Sequence, residues 1–408
     1  MKFKLTSGEK KWILYDVGNS AFILLVSTII PIYFNSLAQS GGLDSVSYLA
    51  YWGYAASAAT LIVALTGPLL GTVADRRARK KPLFLFSVIL GALGCLLLGL
   101  AHSWMSFLII FVLAKVGYSL SLVFYDSMLG DITEQERMDN VSSQGYAWGY
   151  IGSCIPFLVC LGLVLGAGPL GLSMSRAMVL AFLVVSLWWI GCILPLLRVY
   201  RQSHFVTEEQ NHFAQLWHTL RELAGNRKVF SFVLAFFFYI DGVYTIIDMA
   251  TAYGTALGFD TTGLLLALLL TQIVAFPSSI IIGRLSASVD SGKLISFCIL
   301  AYFGIAVFAM FMSAQIHFWI LAVAVGMFQG GIQALSRSHF AKLIPQEKSG
   351  EYFGLLDICG KGASMLGTFT VSFISQLSGS TSLGVGAMAL FFLVGLLLFR
   401  CSLKAGSR

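Results

Sequence analysis

The stretch that decides the fold is the first apolar run of the chain, WILYDVGNSAFILLVSTIIPIYFNSL, from Trp12 to Leu37. It is long enough to cross a hydrocarbon core of about 30 Å, which takes roughly 20 apolar residues. It nevertheless contains Asp16, Asn19 and Ser20, which share one face of a helix because they are spaced at its period. Charge is costly in a bilayer, so we expect this face to line a bundle interior or a water-filled path rather than lipid.

Apolar runs of this length recur along all 408 residues. The chain is 57% hydrophobic and only 11% charged, which excludes an ordinary soluble protein. We predict an all-α integral membrane protein with twelve transmembrane helices in two pseudo-symmetric six-helix halves. The predicted spans are Trp12 to Leu37, Tyr48 to Val73, Leu83 to Ala101, Ser106 to Leu129, Ser142 to Gly166, Ala177 to Leu197, Val229 to Leu257, Thr262 to Leu285, Ile295 to Met312, Phe318 to Ala341, Phe353 to Leu377 and Leu383 to Leu403.

Three further spans, the fourth, seventh and tenth, carry a polar stripe like that of the first. The stripes consist of Lys115, Tyr118, Leu122 and Asp126 in the fourth span, of Asp241, Tyr244, Thr245, Asp248 and Thr251 in the seventh, and of Gln329, Gln333 and Arg337 in the tenth. Each set recurs at helical spacing and therefore lies on one face of its helix. Four polar faces at intervals of three spans indicate a common path through the bundle, and hence a transporter.

Lysine and arginine residues predict the orientation. They precede the first span, crowd the second connection and the middle linker, and close the chain, whereas the opposite connections carry almost only Arg176. Positive residues mark cytoplasmic loops. We therefore predict a multi-pass protein of the cytoplasmic (inner) membrane with both termini in the cytoplasm. The net charge of +7 then reflects topology rather than nucleic-acid binding, for which there is no motif.

The longest polar interruption divides the chain near its middle. We predict an N-terminal half at 1–198, a linker at 199–228 and a C-terminal half at 229–408. In the linker, Thr207 with the following residues 208–210 resembles a capping box. The apolar residues after it share one helical face and predict a short amphipathic helix at the cytoplasmic membrane interface, as a linker or as a partner-binding element. These residues are Phe213, Leu216, Trp217, Leu220 and Leu223.

The two halves resemble each other in sequence. DSMLGDITEQER, which begins at Asp126, aligns without gaps with RSHFAKLIPQEK, which begins at Arg337. The alignment places these two charged residues at equivalent positions. Duplicated six-span halves predict a substrate site at the repeat interface that alternates between the two membrane faces by rocking.

The chain also resembles a known family. GTVADRRARKK, at 71–81, is similar to the signature loop of the major facilitator superfamily, with Asp75 and Arg76 in the matching places. Other segments resemble the vacuolar-effluxer branch, which comprises the autophagy-related permeases and their bacterial relatives. These segments are YDVGNSAF at 15–22, YIDGVYTI at 239–246, QGGIQALSRSHFAKLIP at 329–345 and EYFGLLDICGKGAS at 351–364. The resemblance implies that spans one, four, seven and ten line a central cavity, and that release of amino acids, known for fungal members, is a candidate activity.

Two charged residues of the stripes fall near the bilayer midplane. Lys115 lies roughly eleven residues from the outer end of its span and Asp241 roughly thirteen from the inner end of its own, at about 1.5 Å per residue. We hypothesise that Asp241 is the protonation site and that Lys115 is its counter-ion or binds a substrate carboxylate. A permanent structural ion pair is the alternative. Sodium coupling is a second alternative, because Asp16, Asn19 and Asp241 carry oxygen ligands.

The remaining charged residues lie closer to the cytoplasmic ends and indicate gates. Asp126 and Arg337 are expected to lock the halves together in an outward-open state, and the spacing of Asp357 and Lys361 predicts a pair on one helix. Asp16 also lies near the cytoplasmic end of its span, and substrate contact is an alternative for Asp16 and Arg337. The predicted substrate and proton pathway consists of Asp16, Asn19, Lys115, Tyr118, Asp241, Tyr244, Gln329 and Gln333. The predicted gating residues are Asp75, Arg76, Asp126, Arg337, Asp357 and Lys361.

Taken together, these patterns predict a secondary transporter for a small polar metabolite, with an amino acid as the best candidate. Proton coupling follows from the buried carboxylates, and efflux from the resemblance. A carrier for a larger amphipathic substrate is the alternative, whereas an enzyme or a non-transporting receptor is disfavoured because GxxxxGK and HExxH are absent from the sequence. The seven cysteines have no ligand spacing, so we expect no metal, no cofactor and no catalytic residues. We expect membrane lipid as the surroundings and a monomer as the working unit.

Overall fold

A computed structural model describes residues 4–43, 45–207 and 212–405. The predicted capping box at 208–210 lies outside these residues. The described chain consists of helices and short connections, with one isolated β-bridge between Arg76 and Val206. Eleven of the described helical segments are long and apolar enough to cross a membrane. The remaining long helix, Ser349–Ser378, has 30 residues and completes the predicted count of twelve.

The first eight helices form the N-terminal half. They are α1 (Ser7–Ser27), α2 (Ile29–Ser40), α3 (Ser45–Ala74), α4 (Lys80–Leu98), α5 (Trp104–Ser127), α6 (Leu129–Ile132), α7 (Met138–Leu165) and α8 (Met174–Val199). The first span comprises α1 and α2, which are separated at Thr28. The interruption follows from Pro31, which has no amide hydrogen to donate to the carbonyl four residues earlier.

A linker helix and seven further helices make up the rest of the chain. They are α9 (His212–Gly225), α10 (Arg227–Ala256), α11 (Thr261–Leu285), α12 (Ser291–Met310), α13 (Gln315–Leu343), α14 (Ser349–Ser378), α15 (Thr381–Gly386) and α16 (Met388–Ala405). The linker that we predict at 199–228 contains α9. The division into two halves and a linker stays a prediction.

Two pairs of helices join the halves over long contacts: α3 packs on α14, and α7 packs on α11. The α3–α14 contact depends on glycine. A Cβ at Gly71 would overlap the backbone of Gly350, and a Cβ at Gly354 would lie 2.8 Å from the Cα of Pro68. Small residues let helices approach closely in lipid, where apolar burial does not drive their association. The glycines thus set the distance between the halves at this contact.

Polar contacts between the halves concentrate at one end of the bundle. We call this end the base; it is where α1 and α10 begin and α16 ends. Here the amide of Asn140 donates to the carbonyl of Gly283 at 3.0 Å, and the hydroxyl of Ser142 donates to the carbonyl of Ala334 at 2.7 Å. The chain is therefore closed at the base. The base also carries the basic connection between α3 and α4, the feature from which we predict a cytoplasmic location.

Candidate functional site

A charged cluster lies between the halves, away from the base. It consists of Lys115 on α5, Asp248 on α10, and Asp357 and Lys361 on α14. Lys361 forms an ion pair with Asp357 one turn away, as their spacing predicts. Lys115 interacts electrostatically with Asp248, Asp357 and Lys361, and the Asp248 side chain is exposed. The cluster thus combines one cation of the N-terminal half with two anions and a second cation of the C-terminal half.

Asp241 lies apart from this cluster. It is fully buried, and its Oδ1 accepts hydrogen bonds from the Thr245 hydroxyl at 3.2 Å and from the Gly367 amide at 3.1 Å. Among the residues that the structure describes, none donates a hydrogen bond to its Oδ2. Asp241 therefore faces α14 within the C-terminal half.

The pair that we considered between Lys115 and Asp241 is not formed in this structure. Lys115 has Asp248 as its electrostatic partner on α10 instead. Asp248 lies seven residues after Asp241, a distance of roughly 10 Å along the helix at 1.5 Å per residue. Because seven residues make nearly two full turns, the two aspartates share a face of α10 and differ in depth, so counting residues from the span ends did not identify which of them lies level with Lys115. In this conformation Lys115 and Asp241 therefore do not form the structural ion pair that was our alternative hypothesis.

The uncharged pathway residues occupy different surroundings. The ammonium of Lys115 lies 5.8 Å from the ring centre of Tyr118, and Tyr118 itself is buried. Tyr244 is half-buried on α10, in electrostatic reach of both Asp248 and Asp357. These two tyrosines therefore border the charged cluster.

The two glutamines and Asn19 lie elsewhere. Gln329 lines a mainly apolar cavity between α10, α11 and α13, and Gln333 is half-buried one turn further along α13. The amide of Asn19 donates to the Tyr15 carbonyl at 3.0 Å and to Asp16 Oδ1 at 3.4 Å. Asn19 thus supports the position of Asp16 rather than bordering the cluster.

Arg337 is the centre of the contacts at the base. Its guanidinium donates to Asp126 at 2.9 Å, to Asp16 at 3.3 Å and to the Ser142 hydroxyl at 2.9 Å. It also lies 4.7 Å from the ring centre of Trp12. One side chain of the C-terminal half is thus enclosed by the N-terminal half. Asp16, which we place in the predicted pathway, belongs geometrically to this group.

A second junction at the base involves Asp75. Its two carboxylate oxygens accept the backbone amides of Gly350 and Glu351, each at 2.8 Å. These amides belong to the first turn of α14, where unpaired donors and the helix dipole favour a negative charge. The Lys80 ammonium lies 3.6 Å away and donates to Ser349 at 2.9 Å.

Burial affects the ionisation of Asp75, and its neighbour Arg76 contacts the linker. Burial raises the pKa of Asp75 to about 6, although Lys80 and the two amides favour its charged form. Arg76 is half-buried, and its backbone pairs with Val206 of the linker. A gating role for Arg76 stays a prediction.

Several ionic residues at the base are missing from the sequence-based set. Lys80 is fully buried, Asp131 accepts the Tyr200 hydroxyl at 2.6 Å, and Lys342 pairs with Asp139 at 2.7 Å. The internal repeat contains a signal for two of them. Asp131 follows Asp126 by five residues, and Lys342 follows Arg337 by five. An acidic residue of the N-terminal half is thus again aligned with a basic residue of the C-terminal half.

Comparisons with known proteins agree with this architecture over the full length of the chain. A family model described as "Vacuole effluxer Atg22 like" matches residues 8–406. The uncharacterized MFS-type transporter YxiO of Bacillus subtilis is 38% identical over 407 residues, covering 98% of this chain and 95% of that protein. Autophagy-related protein 22 of Kluyveromyces lactis is 21% identical over 458 residues, covering 96% and 92%.

Solved structures show the same fold at low sequence identity. The transporter FucP in its outward conformation has a TM-score of 0.73 at 16% identity and covers 97% of each chain. The human organic anion transporter MFSD10 has a TM-score of 0.70 at 13% identity, covering 95% of this chain and 97% of its own. The chain therefore belongs to the Atg22-like vacuole effluxer family, a branch of the major facilitator superfamily with bacterial relatives, and it is a membrane transporter rather than an enzyme.

Proposed function

We propose that the protein is a secondary transporter for small zwitterionic metabolites, with amino acids as the principal class. The observation that carries this proposal is the cluster of Lys115, Asp248, Asp357 and Lys361, in which a cation of the N-terminal half interacts with two anions and a cation of the C-terminal half and the Asp248 side chain is exposed. An amino acid has a carboxylate and an ammonium group on one carbon. Lys115 and Asp248, on opposite halves, would bind these two groups by charge-assisted hydrogen bonds.

The position of the cluster fits alternating access. Its members belong to α5 in one half and to α10 and α14 in the other, so rocking of the halves would expose the same site to either membrane face. One chain supplies the complete cluster, and we therefore expect the monomer to be the working unit.

We further propose that Asp241 carries the coupling proton. Its carboxyl group is buried and accepts two hydrogen bonds, and within the described part of the chain it has no cationic partner and no donor to its Oδ2. A buried charge without a partner is costly, and taking up a proton removes that charge. Sodium is the less favoured coupling ion, because the Gly367 amide points its hydrogen at the Asp241 carboxylate, where a cation would need an oxygen ligand.

Direction and location complete the proposal. The matching family is described as vacuole effluxers. Release from a vacuole carries substrate into the cytoplasm, so this description does not support export from the cytoplasm, and efflux stays a prediction. The basic residues at the base support a cytoplasmic location of that end, with the protein in the cytoplasmic membrane. In this orientation the present conformation is closed on the cytoplasmic side.

The test uses purified protein in liposomes that contain a pH-sensitive dye and carry an imposed pH gradient. Pools of amino acids, short peptides and other metabolites are added separately. We expect an amino-acid pool to dissipate the gradient, and Asp241→Asn to abolish this response. Lys115→Gln should weaken it by raising the apparent KM, whereas the exposed Arg176→Gln should behave like the wild type.

Other outcomes of this experiment separate the alternatives. Gradient-independent uptake of a labelled amino acid that requires sodium would overturn proton coupling but retain the substrate class. A response to peptides or amphipathic compounds alone would overturn the substrate class. The apolar cavity beside Gln329 favours this second possibility, because its lining would suit a larger amphipathic substrate.

A further inference from the structure

The linker helix α9 lies across the base and contacts both halves. The ring of His212 lies 2.9 Å from the Thr72 hydroxyl of α3. On the other side, the Gln215 amide donates to Glu351 of α14 at 3.1 Å, and Glu222 pairs at 2.7 Å with a lysine that precedes α14. One short helix thus bridges the ends of the two helices that form the longest junction between the halves.

These contacts determine the depth of α9. Thr72 lies two residues before the end of α3, and Glu351 lies two residues after the start of α14. At 1.5 Å of rise per residue, both contacts are about 3 Å from the ends of membrane-spanning helices. The helix α9 is therefore located at the level of the ends of these two membrane-spanning helices.

The side of α9 that packs on the protein is not its apolar side. The buried stripe consists of Gln215, Thr219 and Leu223. Phe213, Trp217 and Leu220 form what we call the outer apolar face, and their exposed fractions are 70%, 59% and 37%. The inner stripe is mainly polar because it meets the carboxylate of Glu351 and the end of α3. Leu223, predicted as part of the apolar face, packs inward instead.

Basic groups border the outer apolar face. The guanidinium of Arg221 lies 5.2 Å from the ring centre of Trp217, and Arg221 is exposed. Arg227, just after the helix, is exposed as well. Tryptophan is enriched at membrane interfaces, and basic residues beside an apolar helical face are attracted to anionic lipid.

We propose that the outer apolar face of α9 is immersed in the headgroup layer of the membrane on the base side, with Arg221 bound to anionic lipid headgroups. The helix then acts as a lipid-anchored strap: its outer face holds to the bilayer, and its inner face holds the bases of α3 and α14 together. This inference depends on the membrane location of the fold and not on the identity of the substrate.

The test measures where each side of α9 lies by the accessibility of a nitroxide label. Leu220→Cys reports on the outer apolar face. Ala214→Cys is the matched control on the exposed polar side of the same helix, roughly 100° or more around the helix axis from Leu220. Both are made in a full-length background in which the incompletely buried Cys192, Cys359 and Cys401 are replaced by serine. The proteins are reconstituted in phosphatidylcholine vesicles with or without phosphatidylglycerol.

We expect oxygen, which concentrates in lipid, to relax the label at position 220 severalfold more than a water-soluble nickel chelate does, and the reverse at position 214. Phosphatidylglycerol should increase this contrast in the wild-type background but not in Arg221→Gln. Equal access of the nickel chelate to both positions would overturn the proposal in favour of a water-exposed face. Shielding of position 220 from both reagents would overturn it in favour of a protein partner or a second copy. If the contrast between oxygen and the nickel chelate does not change with phosphatidylglycerol, binding of Arg221 to anionic headgroups would be overturned.

Discussion

At the scale of single residues, the clearest constraint is the space around Asp241. Its Oδ1 accepts the amide of Gly367, and this contact exists because residue 367 has no side chain. A Cβ at this position would overlap both the Asp241 carboxylate and the Thr245 hydroxyl. The carboxyl group that we propose as the proton carrier thus depends on a glycine of a neighbouring helix.

Gly367→Ala should therefore displace the Asp241 side chain and abolish proton-coupled transport. Overpacking of this kind costs typically about 1–3 kcal/mol, so the protein should still fold and reach the membrane. Gly362→Ala on the same helix is the matched control, because a Cβ there meets nothing within 4 Å. The measurement is dissipation of the pH gradient in liposomes, normalised to the amount of folded protein. Equal activity of the two variants would contradict the dependence on Gly367.

At the scale of helices, Arg337 joins α13 to α1 and α5. Arg337→Ala leaves Asp16 and Asp126 close together without their cation, and breaking a buried pair in this way costs about 3–5 kcal/mol. We expect Arg337→Ala to destabilise the conformation with the closed base, since the three side chains come together in that conformation. The population should shift towards forms open at the base.

Spin labels at Glu136→Cys and Glu347→Cys, in the same serine background, would measure this shift. The two positions are exposed, lie at the base and are equivalent in the internal repeat. Arg337→Ala should lengthen the distance between the labels. Lys342→Ala, which removes a partly exposed ion pair to Asp139, should lengthen it less. An unchanged distance distribution in Arg337→Ala would contradict its locking role.

A second element-scale constraint is the α3–α14 contact. Gly71→Ala should also open the base, because its Cβ would overlap the backbone of Gly350, which has no flexible end to move aside. Gly67→Ala is the matched control on the same helix, since the nearest atom to its Cβ is a Val63 methyl at 3.9 Å. The same pair of spin labels should report a longer distance in Gly71→Ala alone. Identical behaviour of the two variants would show that the contact does not determine the spacing of the halves.

At the scale of the whole molecule, Asp75 connects the pH on the base side to the conformational equilibrium. Its pKa is about 6 in the closed base, whereas an aspartate exposed to water by opening would titrate near 3.9. The state with the higher pKa binds the proton more tightly. Acidification should therefore favour the closed base, with the effect complete below about 4 and lost as the pH rises through about 6.

The difference of about two in pKa corresponds to roughly 3 kcal/mol. We expect the short spin-label distance to become more populated between pH 7 and pH 5, and Asp75→Asn to remove this dependence. Glu351 is also buried at this junction, so Glu351→Gln serves as the control that assigns the titration to Asp75. A dependence that persists in Asp75→Asn but disappears in Glu351→Gln would contradict the assignment.

Much of the architecture follows from the sequence alone. Hydropathy determined the twelve spans, because the thickness of a bilayer sets the length of apolar segments. The polar stripes determined which helices face inward, because charge in lipid is costly, and the internal repeat paired Asp126 with Arg337, which lie 2.9 Å apart. Local spacing sufficed for Asp357 and Lys361, because both belong to one helix.

Tertiary structure alone decided what depends on how helices are rotated and packed against each other. It assigned Lys115 to Asp248 rather than to Asp241, and it showed that the guanidinium of Arg337 contacts both Asp16 and Asp126. It also directed the polar side of α9 inward and its aromatic side outward. A residue's number gives its face and its position along its own helix. The neighbour that this face meets depends on the packing of the other helices, which no single segment of sequence encodes.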